Sequence, residues 1–121
     1  WDLHELFKAH DPKHLAVGFD MSHATAEGTR AWPLHANLLR PRIGALYVKS
    51  FRWENNKRQN CALDEGIVDQ KYPRQLIKSG FTGPINLHEE YINHRDPKLV
   101  PQHIAAIKKD VATVKDWLGW D

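Results

Sequence analysis

The chain of 121 residues is 41% hydrophobic and 26% charged, a composition typical of one soluble globular unit. Its net charge of +2 is small and its basic residues are scattered, so nothing in it favours a nucleic-acid partner. No apolar run is long enough to span a membrane, and no secretory signal is recognisable, so we expect no membrane association. The single cysteine, Cys61, excludes an intrachain disulfide and favours a reducing compartment, so we expect a cytoplasmic protein.

Two further features of the composition indicate a part of something larger. The chain starts at Trp1 and its only methionine is Met21, so we expect a fragment or a processed form. Three of its five tryptophans, Trp1, Trp117 and Trp120, lie near the ends, where we expect them to pack on a missing part or a partner.

The hydrophobic pattern predicts that helices and strands alternate along the whole chain. We expect strands at 15–20, 43–49 and 84–90, and helices at 1–10, 33–40, 72–79 and from Pro97 onward, with Asp96 as the cap of the last helix. A long polar loop is predicted at 52–69. The last helix carries apolar residues at intervals of three and four, so we expect one buried stripe of Val100, Ile104, Ile107, Val111, Val114 and Leu118.

Strands that are separated by helices are parallel, and the alternation of side chains within each strand predicts which face is buried. One face is bulky and aliphatic, and we expect it to pack under the helices: Leu15, Val17, Phe19, Leu46, Val48, Ile85 and Leu87. The other face is small or polar, which favours a barrel wall over an open sheet covered on both sides. Because a closed barrel of this type needs eight strands, the fold class is α/β with an incomplete (β/α)8 barrel.

Polar residues at the strand ends are the candidates for function, because the carboxyl ends of barrel strands carry the chemistry. Asp20 ends the first strand and is predicted to bind a metal or substrate; alternatively, it binds loop amides. His23 follows in a loop, as a second ligand, a substrate contact or a plain loop histidine. Lys49 ends the second strand, where it holds a phosphate, carboxylate or sugar hydroxyl, or pairs with Asp20 or Glu90.

The third strand adds His88 and Glu90 on the inward face, whereas Glu89 is predicted to face the helices or solvent. An inward Glu90 suits a metal ligand or a proton-transferring base, with His88 as its partner. The other histidines lie on helices, in loops or at strand starts, and we expect them at the surface: His4, His10, His14, His35, His94 and His103.

Four motifs, in order, resemble the C-terminal part of the xylose isomerase-like barrels, the sugar phosphate isomerases and epimerases related to endonuclease IV. They are Asp20-Met21-Ser22-His23 with Gly28, Leu46-Tyr47-Val48-Lys49-Ser50-Phe51, Leu63-Asp64-Glu65-Gly66-Ile67-Val68-Asp69, and the run 80–91 that begins Gly80-Phe81-Thr82-Gly83-Pro84. They resemble, respectively, the family's Asp-x-x-His loop, its His-x-Lys-Asp strand seven, its Gly-x-Gly-x-x-Asp loop and its Gly-Tyr-x-Gly-Pro run before strand eight. The resemblance covers nearly all of 1–121 and implies that the chain forms the last three strands of the barrel.

The resemblance implies a sugar or sugar phosphate isomerase or epimerase, in which a divalent metal (Mn, Mg, Co or Zn) assists proton transfer between adjacent carbons. It implies Asp20, His23 and Glu90 as metal ligands, Glu90 and Lys49 as catalytic residues, and His23, Lys49 and His88 as substrate contacts. The strand-eight glutamate of the family aligns either with Glu90 or with His88, since both face inward. It also implies that the N-terminal part of the barrel, or a second copy, completes the wall.

The chain departs from the family pattern at two positions of strand seven. Tyr47 stands where a histidine ligand is expected, and Ser50 stands where an aspartate is usual. Tyrosine is a poor ligand for these ions at neutral pH, because its pKa is near 10. The alternatives are therefore a non-catalytic or metal-free relative that binds a sugar or an acidic metabolite and, less favoured, an endonuclease IV-like phosphodiesterase.

Overall fold

Helices and two separate sheets make up the computed structural model, which describes residues 1–120. In chain order the elements are helix α1 (Asp2–Phe7), strand β1 (Val17–Asp20), helices α2 (Met21–Glu27) and α3 (Trp32–Leu39), strands β2 (Ile43–Val48), β3 (Ser50–Glu54) and β4 (Lys57–Cys61), helix α4 (Tyr72–Lys78), strand β5 (Ile85–Leu87) and helix α5 (Val100–Leu118). Short 3-10 turns lie at Arg40–Arg42, Leu63–Glu65 and Pro97–Leu99.

Three parallel strands form the larger sheet, in the order β1-β2-β5. Phe19 pairs with Leu46, and Leu46 pairs with Ile85, so the strands follow one another in sequence order. Helices separate the strands along the chain, as parallel crossovers require. The mixed α/β class with parallel strands is therefore confirmed. Each strand is shorter than predicted, and β5 ends three residues before Glu90.

The aliphatic face of the sheet lies in the core for the first two strands. Val17, Phe19, Leu46 and Val48 are all buried. Ile85 and Leu87 are only partly buried, because they lie on an edge strand. The prediction for Leu15 was wrong: its side chain is exposed, since the first strand begins two residues later at Val17.

The stretch predicted as a polar loop contains a β-hairpin instead. Strands β3 and β4 pair antiparallel around Asn55 and Asn56, whose φ angles are 49° and 61°. Two consecutive left-handed residues make the tight turn that two-residue hairpins prefer, and asparagine tolerates that conformation. Phe51 is fully buried and anchors the hairpin to the core, while Cys61, which falls within the predicted loop, is buried on β4.

The segment after Asp20 is also helical rather than a loop. Helix α2 starts directly at Met21, and Asp20 is its N-cap, accepting hydrogen bonds from the N–H groups of Ser22 and His23. A capping aspartate satisfies amides that a helix start otherwise leaves unpaired, which explains the abrupt change from strand to helix. His23 therefore lies in the first turn of a helix.

Helix α5 does not bury the stripe predicted for it. Val100, Ile104, Ile107 and Val111 are exposed, while Val114 is partly buried and Leu118 is buried. The helix has 19 residues and is about 28 Å long, whereas β5 has three residues and spans about 10 Å. The sheet edge is thus too short to cover the first three turns of the helix.

Candidate functional site

The carboxyl ends of the three parallel strands bring four polar side chains together. We call Asp20, Lys49, His88 and Glu90 the strand-end cluster. Lys49 lies at its centre: its Nζ is 3.3 Å from Oδ2 of Asp20 and 3.1 Å from Oε2 of Glu90. Its side chain is only 8% exposed, whereas that of Glu90 is 43% exposed. The inner part of the cluster, at Lys49, is therefore buried, and its outer part, at Glu90, is accessible to solvent.

Asp20 performs two tasks with its two carboxylate oxygens. Oδ1 accepts the N–H groups of Ser22 and His23 at 2.9 and 3.0 Å, and Oδ2 faces Lys49. The imidazole Nδ1 of His23 lies 3.8 Å from the same Oδ2. The structure thus shows the alternative in which Asp20 binds nearby amides, together with the alternative for Lys49 of an ion pair with Asp20.

Glu90 is held as an ionised carboxylate by its neighbours. Burial alone raises the pKa of its carboxyl, but the hydrogen bond and charge of Lys49, followed by those of His88, outweigh this and leave the pKa below the usual value of 4.5. His88 contributes through Nδ1, which lies 3.4 Å from Oε1 of Glu90. A carboxylate with a lowered pKa is a good hydrogen-bond acceptor and a weak base.

Tyr47 lies next to this pair, as its place on β2 requires. Its ring centroid is 5.0 Å from that of His88, and the two planes are tilted by 53°. The tyrosine that replaces the expected histidine ligand therefore packs against the imidazole of the cluster. Such aromatic contacts orient a side chain and stabilise it modestly.

A cleft of about 450 Å³ opens beside the cluster. We call it the hairpin cleft because strand β4 forms one wall; its lining residues are His23, Arg58, Gln59, Asn60, Glu90 and Tyr91. Clefts of this size hold small ligands. Only His23 and Glu90 of this set were candidates from the sequence; Arg58 and Asn60 were missed because the hairpin was predicted as a loop. The Asn55-Asn56 pair between alternating residues was the available signal.

A second network holds the chain segment that carries Glu90. The Glu89 side chain is 4% exposed, forms an ion pair with His103 of α5, and accepts the N–H groups of Tyr91 and Ile92 at 3.1 and 2.9 Å. Glu89 therefore faces the helix, one of the two orientations expected. The prediction of a surface His103 was wrong, because this ion pair draws its ring into the packed interface, where its side chain is 19% exposed.

Asp110 of α5 fixes the other side of the same segment. It is fully buried and accepts the Leu63 N–H at 3.1 Å and the Tyr91 hydroxyl at 2.9 Å. Burial raises the pKa of its carboxyl, although both hydrogen bonds act in the opposite direction. The Asn60 amide adds a 3.3 Å bond to the carbonyl of Glu90. Glu90 is thus positioned from α5 and from β4 as well as by Lys49.

The side chains as placed do not fit a divalent metal ion. Among residues 1–120, no group of three or more His, Cys, Asp or Glu side chains is arranged to hold one. Lys49 instead lies against both Asp20 and Glu90, and its ammonium balances their charge. A divalent cation bound by the same two carboxylates would repel this ammonium at close range.

Comparison of the sequence with protein-family models and with curated proteins finds no match. The resemblance to the xylose isomerase-like barrels therefore stays a prediction that rests on the four motifs.

None of the helices formed by residues 1–120 combines the length and the apolar character needed to cross a membrane.

Proposed function

We propose that the strand-end cluster and the hairpin cleft together bind a sugar or sugar phosphate without a metal. The observation that carries this proposal is the contact of Lys49 with both Asp20 and Glu90 at the ends of neighbouring strands. A carboxylate accepts hydrogen bonds from sugar hydroxyls, and an ammonium donates to them. The cluster therefore offers both partners that a hydroxyl group, which is donor and acceptor at once, requires.

The balance of charge favours hydroxyl groups over a cation as the ligand of the cluster itself. Lys49 brings one positive charge to two carboxylates and holds them in place. Oppositely charged groups fixed by one another need little rearrangement when a ligand arrives, which lowers the cost of binding. The exposed rim formed by Glu90 and His88 is where we expect the sugar to make contact.

This proposal includes the wider architecture that the motifs imply. We propose that the chain supplies the last three strand units of a TIM-type (β/α)8 barrel in the cytoplasm. Strands β1 and β5 are the two edges of the described sheet, and edge strands present backbone groups that can pair with further strands. The N-terminal part of the barrel, or a second copy of the chain, is the partner that we propose for these edges.

A second candidate is the isomerase or epimerase reaction at the same site, and the position of Glu90 favours it. Its carboxylate is ionised, reaches the cleft and is paired with Lys49 and His88. In this reaction Glu90 takes a proton from a sugar carbon, and Lys49 stabilises the charge that develops on the neighbouring oxygen. We place binding ahead of catalysis because the lowered pKa of Glu90 weakens it as a base.

Titration of the 15N-labelled chain with a panel of aldoses, ketoses and their phosphates tests the proposal. We expect amide shifts at Asp20, His23, Lys49, His88 and Glu90 that are the same with and without EDTA. Binding that requires added Mn²⁺ or Mg²⁺ would support the metal-assisted reaction instead. Incubation of the bound sugar in D2O tests the second candidate, since an isomerase or epimerase exchanges a carbon-bound proton with solvent.

A further inference from the structure

Arg58 brings a positive charge into the hairpin cleft from strand β4. Its guanidinium carbon lies 4.9 Å from the centroid of the Phe51 ring, and Nη2 donates a 2.9 Å hydrogen bond to Oγ of Ser22. The contact with the buried Phe51 and the bond to Ser22 fix the side chain from two directions. The charge is therefore held in place at the wall of the cleft, next to His23.

This guanidinium lacks a counter-ion within the described part of the chain. No carboxylate of residues 1–120 lies within 4.0 Å of Arg58, and its Nε is buried without a hydrogen-bond partner. Arg52 on the neighbouring strand behaves differently, since it is half exposed and pairs with Glu54 and Glu65. The two arginines of one hairpin thus differ in that only the one in the cleft has no anion.

A partly buried cation without a partner is costly, and a ligand that brings an anionic group relieves that cost. Guanidinium groups bind phosphate and carboxylate oxygens through parallel N–H bonds, which match both groups in geometry. Glu90 lines the same cleft but is engaged by Lys49 and His88. The cleft consequently offers an anion-binding wall and a hydroxyl-binding rim.

We infer that Arg58 binds an anionic end group of the sugar, a phosphate or a carboxylate, while Glu90, which Lys49 holds in place, contacts its hydroxyls. This inference rests on the proposed function and adds the chemical class of the ligand. His23 lies in the same wall, where a ring N–H is a further hydrogen-bond donor.

Calorimetric titration of the full chain with four probes tests the inference: D-fructose, D-fructose 6-phosphate, D-gluconate and inorganic phosphate. We expect at least one anionic sugar to bind about tenfold more tightly than D-fructose, because bonds to a charged group are the strong ones. The comparison of D-fructose 6-phosphate with D-gluconate identifies whether the site prefers a phosphate or a carboxylate. In Arg58→Gln that advantage should disappear, whereas Arg52→Gln should retain it.

Equal binding of D-fructose and both anionic sugars would overturn the inference and leave the proposed function standing. Binding of inorganic phosphate that depends on Arg58, with no binding of any sugar, would support the anion site and overturn the proposed function. An equal loss in Arg52→Gln and Arg58→Gln would also contradict the inference. Should Arg58→Gln not fold, Arg58→Lys keeps the charge without the paired N–H groups, and we expect it to lose part of the advantage.

Discussion

Nζ of Lys49 contacts both carboxylate oxygens of Glu90, at 3.2 and 3.1 Å, although 41 residues separate the two in sequence. The contact joins the end of β2 to the segment that follows β5. Because the same ammonium also faces Asp20, one buried lysine connects all three parallel strands at their carboxyl ends. The proposed ligand site depends on this single charge.

Lys49→Met should raise the pKa of Glu90. The hydrogen bond and charge of Lys49 are the main influences that lower this pKa against the effect of burial, so their loss leaves burial opposed only by His88. Carboxyl 13C NMR titration measures the change directly. A pKa for Glu90 that is the same in the variant as in the wild type would show that Lys49 is not the cause of the shift.

The lowered pKa of Glu90 also determines how the stability contributed by its contact with Lys49 depends on pH. A carboxyl whose folded pKa is lowered stabilises the fold above its unfolded pKa, near 4.5, and loses that contribution as the pH falls through the lower folded value. We therefore expect the contact between Lys49 and Glu90 to persist from neutral pH down to about 4.5 and to break in stronger acid. His88→Gln is the matched control, since it leaves Lys49 in place and should change the pKa of Glu90 less.

Asp110→Asn should preserve stability at neutral pH, whereas Asp110→Ala should lower it. Asparagine can still accept the Leu63 N–H and contact Tyr91, while alanine leaves both buried groups unpaired at a cost of about 1–3 kcal/mol. Urea unfolding of the two variants at pH 7 measures the difference. An asparagine variant as unstable as the alanine variant would show that the charge itself is required.

The raised pKa of Asp110 also predicts how the stability difference between the wild type and Asp110→Asn changes with pH. A carboxyl with a raised folded pKa contributes fully below its unfolded pKa, near 3.8, and its contribution decreases as the pH rises through the folded value. The stability of the wild type relative to Asp110→Asn should therefore fall as the pH increases from 4 to 7. A difference that grows with pH over this range contradicts the burial argument.

Phe51→Ala should destabilise the fold by about 3–5 kcal/mol, the usual cost of a cavity left by a buried aromatic ring. Phe51 is fully buried and also supports the guanidinium of Arg58. Trp53→Ala on the same strand is the control, because Trp53 is 49% exposed and its removal should cost about 1 kcal/mol. Denaturant unfolding of both variants decides whether the hairpin is part of the core or an appendage to it.

The strand ends could be predicted from the sequence because their signal is local. Each parallel strand is a short apolar run followed by a polar residue, and the alternation of side chains places Asp20 and Lys49 on one face. Their mutual contact follows from the rule that parallel strands end at the same edge. The expectation that polar groups gather there was correct in geometry, while their roles in metal binding and catalysis stay predictions.

The features that were missed depend on contacts distant in sequence or on turn chemistry. Arg58 enters the cleft because of the left-handed turn at Asn55 and Asn56, which the sequence marks by an asparagine pair and not by glycine or proline. His103 is drawn inward by Glu89, which lies 14 residues away. The stripe of α5 was predicted as buried because periodicity shows that a helix is amphipathic but does not show what covers it.

The central claim, that Lys49 organises a sugar site, is tested most directly by the affinity of Lys49→Met for the best-binding compound of the sugar panel. Lys109→Met is the matched control, because Lys109 also pairs with two carboxylates, Asp64 and Glu65, but is exposed on α5 and pairs with no member of the cluster. Both variants are first checked for a cooperative thermal transition. We expect Lys49→Met to lose at least about tenfold in affinity, since the loss of one bond to a charged group is of that order, and Lys109→Met to bind as the wild type does. Unchanged binding by a folded Lys49→Met, or an equal loss in both variants, would contradict the account.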